Sequence, residues 1–151
     1  MSLEILINND IKAAMIGKDK RKLQALRAIK AGLLIEKTGK DTSGAEIPEA
    51  VELKLLQKLV KQRKESAELY HQQNRADLAE EEEYQAEIIQ AYLPQQMDEA
   101  SLKREIQEII SLTGATSMKD MGKIMGIASK KFAGKADNKM ISSLVKELLL
   151  N

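Results

Sequence analysis

GATSMKDMGKIMGIASKKFAGKAD, residues 114–137, sets a helix start, an apolar stripe, a stop and a second helix start in one run. Ser117 is a candidate N-cap, and Asp120, three residues on, is the acidic member of a capping-box-like pair. Met118, Met121, Ile124, Met125 and Ala128 recur at the spacing of one helical face. Gly134 is a natural stop, and Asp137 can cap a last helix. Gly122 and Gly126 are four apart and so stack on one side of the helix. Glycine inside a helix costs about 1 kcal/mol relative to alanine. Two at this spacing point to another backbone, or a ligand, coming very close. Lys119, Lys123, Lys130, Lys131 and Lys135 ring the same segment, an arrangement that suits a phosphate backbone. Two helices of the chain packed tightly together, with the lysines merely solvated, is an equally physical reading.

Toward the C-terminus, a last helix over about 138–150 carries Ile141, Leu144, Val145, Leu148 and Leu149 inward. Toward the N-terminus, Met97-Asp98 followed by Leu102 forms a hydrophobic staple around an N-cap. The helix it opens, about 99–112, buries Leu102, Ile106, Ile109 and Ile110. Leu93-Pro94 is the best internal boundary. Before it, Glu80-Glu81-Glu82-Glu83 lies in the first turns of a helix over about 78–92, after a turn and cap marked by Asn74 and Asp77. Acids there favour the positive end of the helix dipole. Four consecutive carboxylates fan around a helix and do not converge on a cation, so no metal site is expected.

A long helix over about 49–73 precedes that turn, with Val51, Leu55, Leu56, Leu59, Val60, Leu69 and Tyr70 on its apolar face. Residues 38–48, TGKDTSGAEIP, read as the clear loop, with Pro48 suited to the helix start. The first helix runs from about Leu3 to Ile16 with Leu3, Leu6, Ile7, Ile11, Ala14 and Met15 inward, and Gly17 ends it. Asp19 caps the second, which carries Leu23, Leu26, Ile29 and Leu33 to about Lys37. Lys18-Asp19-Lys20-Arg21-Lys22 between them is a basic knuckle, most simply a solvated hairpin tip. No period-2 apolar run occurs. The chain therefore reads as all-α: a long-helix N-terminal lobe over 1–95 and a small three-helix C-terminal lobe over 96–151.

Its 151 residues suit one compact domain or two small lobes. The formal charge of +1 conceals a polarity along the chain. Residues 1–76 hold 15 Lys and Arg against 10 acids, residues 77–113 hold 2 against 10, and residues 114–151 hold 7 against 3. The ends attract anions and the middle repels them. With no cysteine, neither a disulfide framework nor a thiolate metal site is possible. The N-terminus lacks the pattern of a signal peptide, and no apolar run approaches the ~20 residues of a membrane span. A soluble cytoplasmic protein with no membrane partner is expected.

Catalytic equipment is sparse. The single histidine, His71, lies in a polar run without paired ligand spacing. Gly122-Lys123 fails as a phosphate loop, because Ser117 stands where the first glycine belongs and Ile124 where Ser or Thr belongs. No Ser-His-Asp or Cys-His set can be assembled, Lys–Ser chemistry stays open although nothing marks a particular pair, and no cofactor is expected. With Tyr70, Tyr84, Tyr92 and Phe132 the only aromatics, a nucleic acid would be held by charge and shape, not by base stacking.

Several blocks together resemble the GatB/YqeY family. They are Leu26-Arg27, Lys61-Gln62-Arg63-Lys64-Glu65-Ser66, Tyr92-Leu93-Pro94, Gly114-Ala115, Asp120-Met121-Gly122-Lys123-Ile124-Met125-Gly126 and Gly134-Lys135-Ala136-Asp137. They fall in the family's order over nearly the whole chain. The last block departs from the family's common Gly-Arg-Ala-Asp-Gly at Lys135 and Asn138. Lysine there keeps the charge and loses arginine's two-pronged geometry. The resemblance implies an all-α fold and a tie to the tail of the tRNA-dependent amidotransferase B subunit, a carbon–nitrogen ligase that uses glutamine as amido-nitrogen donor. It implies a non-catalytic tRNA-binding accessory module for that enzyme or for tRNA charging, with tRNA, an aminoacyl-tRNA synthetase or an amidotransferase subunit as partner. A docking module for a tRNA-charging enzyme and an independent amidotransferase are the alternatives. For RNA, Lys119, Lys123, Lys130, Lys131 and Lys135 would neutralise phosphates, Gly122 and Gly126 would permit close approach, and Arg63 and Lys64 would add contacts.

Overall fold

A computed structural model describes residues 2–39 and 46–150. Among them are seven α-helices and no strand: α1 Leu3–Ile16, α2 Lys20–Gly39, α3 Glu49–Gln72, α4 Ala76–Gln90, α5 Glu99–Thr113, α6 Met121–Lys131 and α7 Asn138–Leu150. The all-α expectation holds. Of the expected loop 38–48, residues 40–45 lie outside the described residues. Thr38 and Gly39 extend α2, and Pro48 precedes α3, its carbonyl accepting from the Val51 and Glu52 N–H groups.

The helix ends follow from local chemistry. Ser2 accepts from the Ile5 N–H at the start of α1, and Asp19 from the Lys22 N–H at the start of α2. Asp98 accepts from the Ser101 N–H at 2.7 Å, opening α5, and Asp137 from the Lys139 N–H, opening α7. Ser117 and Asp120 form the capping box, but it encloses a 3₁₀ turn, Met118–Asp120, from which α6 continues.

The chain divides into two compact units, 1–93 and 94–151. In the first, two helical hairpins, α1–α2 and α3–α4, close on Leu3, Ile7, Leu26, Ile29, Leu56 and Ile89. Each hairpin end carries the same hydrogen-bond pattern. The Asp19 N–H returns to the Ala14 carbonyl and the Lys18 N–H to Met15, just as Arg75 returns to Tyr70 and Asn74 to His71. The left-handed position is taken by Asn74, φ 58°, at one end and by Lys18, φ 55°, at the other. Gly17, the expected stop, sits one residue earlier at an ordinary φ of −76°.

Two polar fastenings tie α4 and the residues just after it into this unit. The Arg21 guanidinium stacks 4.1 Å from the Tyr84 ring centroid and reaches Glu81 at 3.1 Å. The Tyr92 hydroxyl donates a hydrogen bond to the Asp10 carboxylate of α1. Here the tight helix packing falls at Gly32. A Cβ there would lie 2.7 Å from Leu55 Cδ1 and 3.3 Å from its Cγ.

The second unit has its own core of Leu102, Ile106, Ile124, Phe132, Ile141 and Val145, drawn from α5, α6, α7 and the turn after α6. The expected inward sets hold for α5 and α7. In the first unit they are too generous. Leu6, Met15 and Leu69 are exposed, while Ala67 takes the buried place on the second half of α3. A two-helix contact covers a narrow stripe, and these helices carry more apolar residues than the stripe can hold.

Candidate binding surface on the sixth helix

The inward side of α6 holds buried Ile124 and Ala128, with Met121 and Met125 half-buried beside them. At 3.6 residues per turn, Gly122, Gly126, Lys123, Ile127 and Lys130 then share the opposite side, and all five are exposed. The glycines form one edge of this face, Lys123 and Lys130 its middle. Lys119 extends it from the 3₁₀ turn.

The glycines do not serve packing within the described chain. A Cβ built on Gly122 or Gly126 meets nothing within 4 Å. The reading of two helices of this chain in close contact is thereby corrected at these positions. Among the described residues none of Lys119, Lys123, Lys130, Lys131 and Lys135 lies within ion-pair distance of a carboxylate. Lys131 stands apart from the others, with its ammonium 5.7 Å from the Phe132 ring centroid.

Lys135 is on the turn between α6 and α7. Its carbonyl accepts from the Met97 N–H at 2.9 Å, and the Gly134 carbonyl accepts from the Gln96 amide at 2.7 Å. Gly134 takes φ 74°, Ala136 is buried and Asp137 caps α7. The backbone of this block thus closes the turn, and the Lys135 side chain is presented outward. Asn138 opens α7 without a positive φ, so that position requires no glycine.

Arg63 and Lys64 lie on α3, in the other unit. Arg63 is half-buried, donating to the Gln85 side chain at 3.3 Å and to the Leu59 carbonyl at 3.5 Å, in the wall of an open groove of about 490 Å³. Lys64 is exposed beside Glu83 and Glu87 in a neighbouring groove. The acidic run of α4 is dispersed: Glu80 and Glu81 meet Arg21, and Glu83 meets His71 at 2.6 Å. Among the described residues no group of three or more His, Asp or Glu could hold a metal ion.

Fold and surface together define an all-helical protein of two units, distinguished by a basic helix face lined with open glycines. The chain belongs to the YqeY-like protein family, whose profile matches residues 5–149. Curated relatives carry the name altered inheritance of mitochondria protein 41, mitochondrial. The protein of Lachancea thermotolerans is 37% identical over 59% of this chain and 46% of its own length. That of Vanderwaltozyma polyspora is 28% identical over 92% and 77%, and that of Clavispora lusitaniae 39% identical over 56% and 47%. The chain thus spans about half the length of the Lachancea relative it matches.

These relatives correct two expectations. They bear the name of mitochondrial proteins, which overturns the cytoplasmic placing. That name ties them to inheritance of mitochondria, not to tRNA or amide transfer. The tRNA accessory role, docking on a tRNA-charging enzyme and independent amidotransferase activity are therefore withdrawn.

Proposed function

We propose that this chain is a non-catalytic helical adaptor whose α6 face receives an acidic helix of a partner protein. The observation that carries the reading is the pair of open glycines. Each costs helix stability, about 1 kcal/mol against alanine, and no packed neighbour among the described residues offsets it. Small residues four apart let a second helix come closer than the usual 8–10 Å between axes. Lys119, Lys123 and Lys130 beside that floor select a partner with carboxylates along its flanks, and Met118 and Ile127 add exposed apolar contact. The charge of the unit is moderate. Residues 94–151 carry 9 Lys and Arg against 7 acids, which suits a patterned protein surface better than a uniformly charged polyanion.

A photo-crosslinking amino acid placed at Ile127 tests this in cells of the source organism. The expected product is a protein adduct that maps to an acidic helical segment. It should be lost when Gly122 and Gly126 are both changed to Leu, and when Lys123 and Lys130 are both changed to Glu. An adduct indifferent to both pairs of changes, or no protein adduct, would overturn the reading.

A further inference from the structure

We propose that the tip of the α1–α2 hairpin is a docking point for an anionic membrane surface. At the tip, Ile16 is 84% exposed and Met15 56% exposed, two apolar side chains side by side at the end of a helix. Lys12 lies one turn back on the same face as Ile16, and Lys18 and Lys20 follow within four residues, all three exposed. Among the described residues none of the three is ion-paired. Asp19, the only acid between residues 12 and 22, spends a carboxylate oxygen on the Lys22 N–H. The acids facing the turn from α4, Glu80 and Glu81, are held on Arg21.

The backbone supplies an independent observation. The two hairpin ends of this unit have the same hydrogen-bond closure, yet one uses asparagine at the left-handed position and the other uses lysine. Asparagine and glycine tolerate that conformation far better than lysine does. A strained lysine at the apex puts a cation where the turn alone would favour a neutral small residue.

A hydrogen-bonded knuckle with an exposed apolar pair beside its apex and lysines around it matches a bilayer interface. The apolar pair enters the boundary between headgroups and acyl chains, and the lysine stems lie along it with their ammonium groups among lipid phosphates. Such a surface contact does not need a spanning segment, and no helix of the described residues is long and apolar enough to cross a membrane. With two apolar anchors and three lysines the contact is reversible and salt-sensitive, each lysine multiplying binding by about fivefold.

Co-sedimentation of the full chain with lipid vesicles tests the proposal. Vesicles of phosphatidylcholine with about a third phosphatidylglycerol should bind the protein, and pure phosphatidylcholine should not. Lys18→Glu with Lys20→Glu should weaken binding by at least about 25-fold, and Ile16→Ser by about tenfold. Lys123→Glu on α6 should leave it unchanged. Circular dichroism of each variant separates lost docking from lost fold. Equal binding to both vesicle types overturns the proposal, and binding to neither overturns it and hands the tip to a protein partner. An unchanged Ile16→Ser variant, or a loss with Lys123→Glu equal to that at the tip, also overturns it.

Discussion

Lys18 holds its backbone at φ 55°, where a Cβ costs about 1 kcal/mol or more. Lys18→Gly should therefore raise stability by about 1 kcal/mol, read as a higher urea midpoint, while weakening any anionic contact at the tip. Tyr92 is held in the opposite sense, by a contact that stabilises. Burial, and then the hydrogen bond to Asp10, push its phenol pKa well above the ordinary tyrosine range. The unfolded chain's phenol ionises first as pH rises past about 10. The contribution of Tyr92 is thus complete below that pH and lost progressively above it. Tyr92→Phe should cost about 1 kcal/mol at neutral pH. It should also remove part of the alkaline loss of stability, followed by urea unfolding from about pH 8 to pH 11.

At the scale of the helix, α6 gives the clearest conflict between stability and use. Gly122→Ala with Gly126→Ala should stabilise the second unit by about 1–2 kcal/mol, since both methyl groups enter open space. The same pair should impair partner binding, so thermal unfolding and crosslinking should move in opposite directions. The start of α5 offers a pH signature. The Ser101 backbone N–H, and then the Ser101 side chain, hold the Asp98 carboxyl below its usual range. The stabilisation it gives is complete above about pH 4 and lost as pH falls through the depressed value. Asp98→Asn keeps a capping oxygen and should flatten that acid limb in urea midpoints measured from about pH 5 downward.

Most helices were legible because period and caps agree: Asp19, Asp98 and Asp137 each sit one residue before or at the start of a helix they cap. The sequence signals place α4 two residues late at both ends. Asp77 looked like the cap but pairs with Arg75 inside the first turn, and Tyr92 leaves the helix to reach Asp10. The close-approach glycine of the fold, Gly32, was invisible, because a single glycine in a helix has no pattern to announce it. The paired glycines of α6 were visible, but spacing alone does not tell an inner face from an outer one. That required the burial of Ile124 and Ala128 on the other side.

For the whole molecule, the two separate cores matter most. Ile29 and Ile124 are each fully buried, one in each unit. Ile124→Ala should cost about 2–5 kcal/mol and accelerate amide exchange through residues 94–151, leaving the slowest amides of α2 and α4 protected. Ile29→Ala should do the reverse. A single loss spread evenly over both halves would show that the units unfold as one. A unit of the size of 94–151 is near the lower limit for a self-sufficient core, so the second half should be the first to open.

The clasp between Asp10 and Tyr92 also bears on synthesis. The residue that completes the first unit is almost its last, so α1 cannot be fastened until residue 92 has left the ribosome. From then on, nothing needed for that unit remains to be made. A pause engineered after residue 92 has emerged from the ribosome should therefore add little to the yield of native protein, whereas one placed earlier would hold an unfastened α1 with its surplus of apolar side chains in the open.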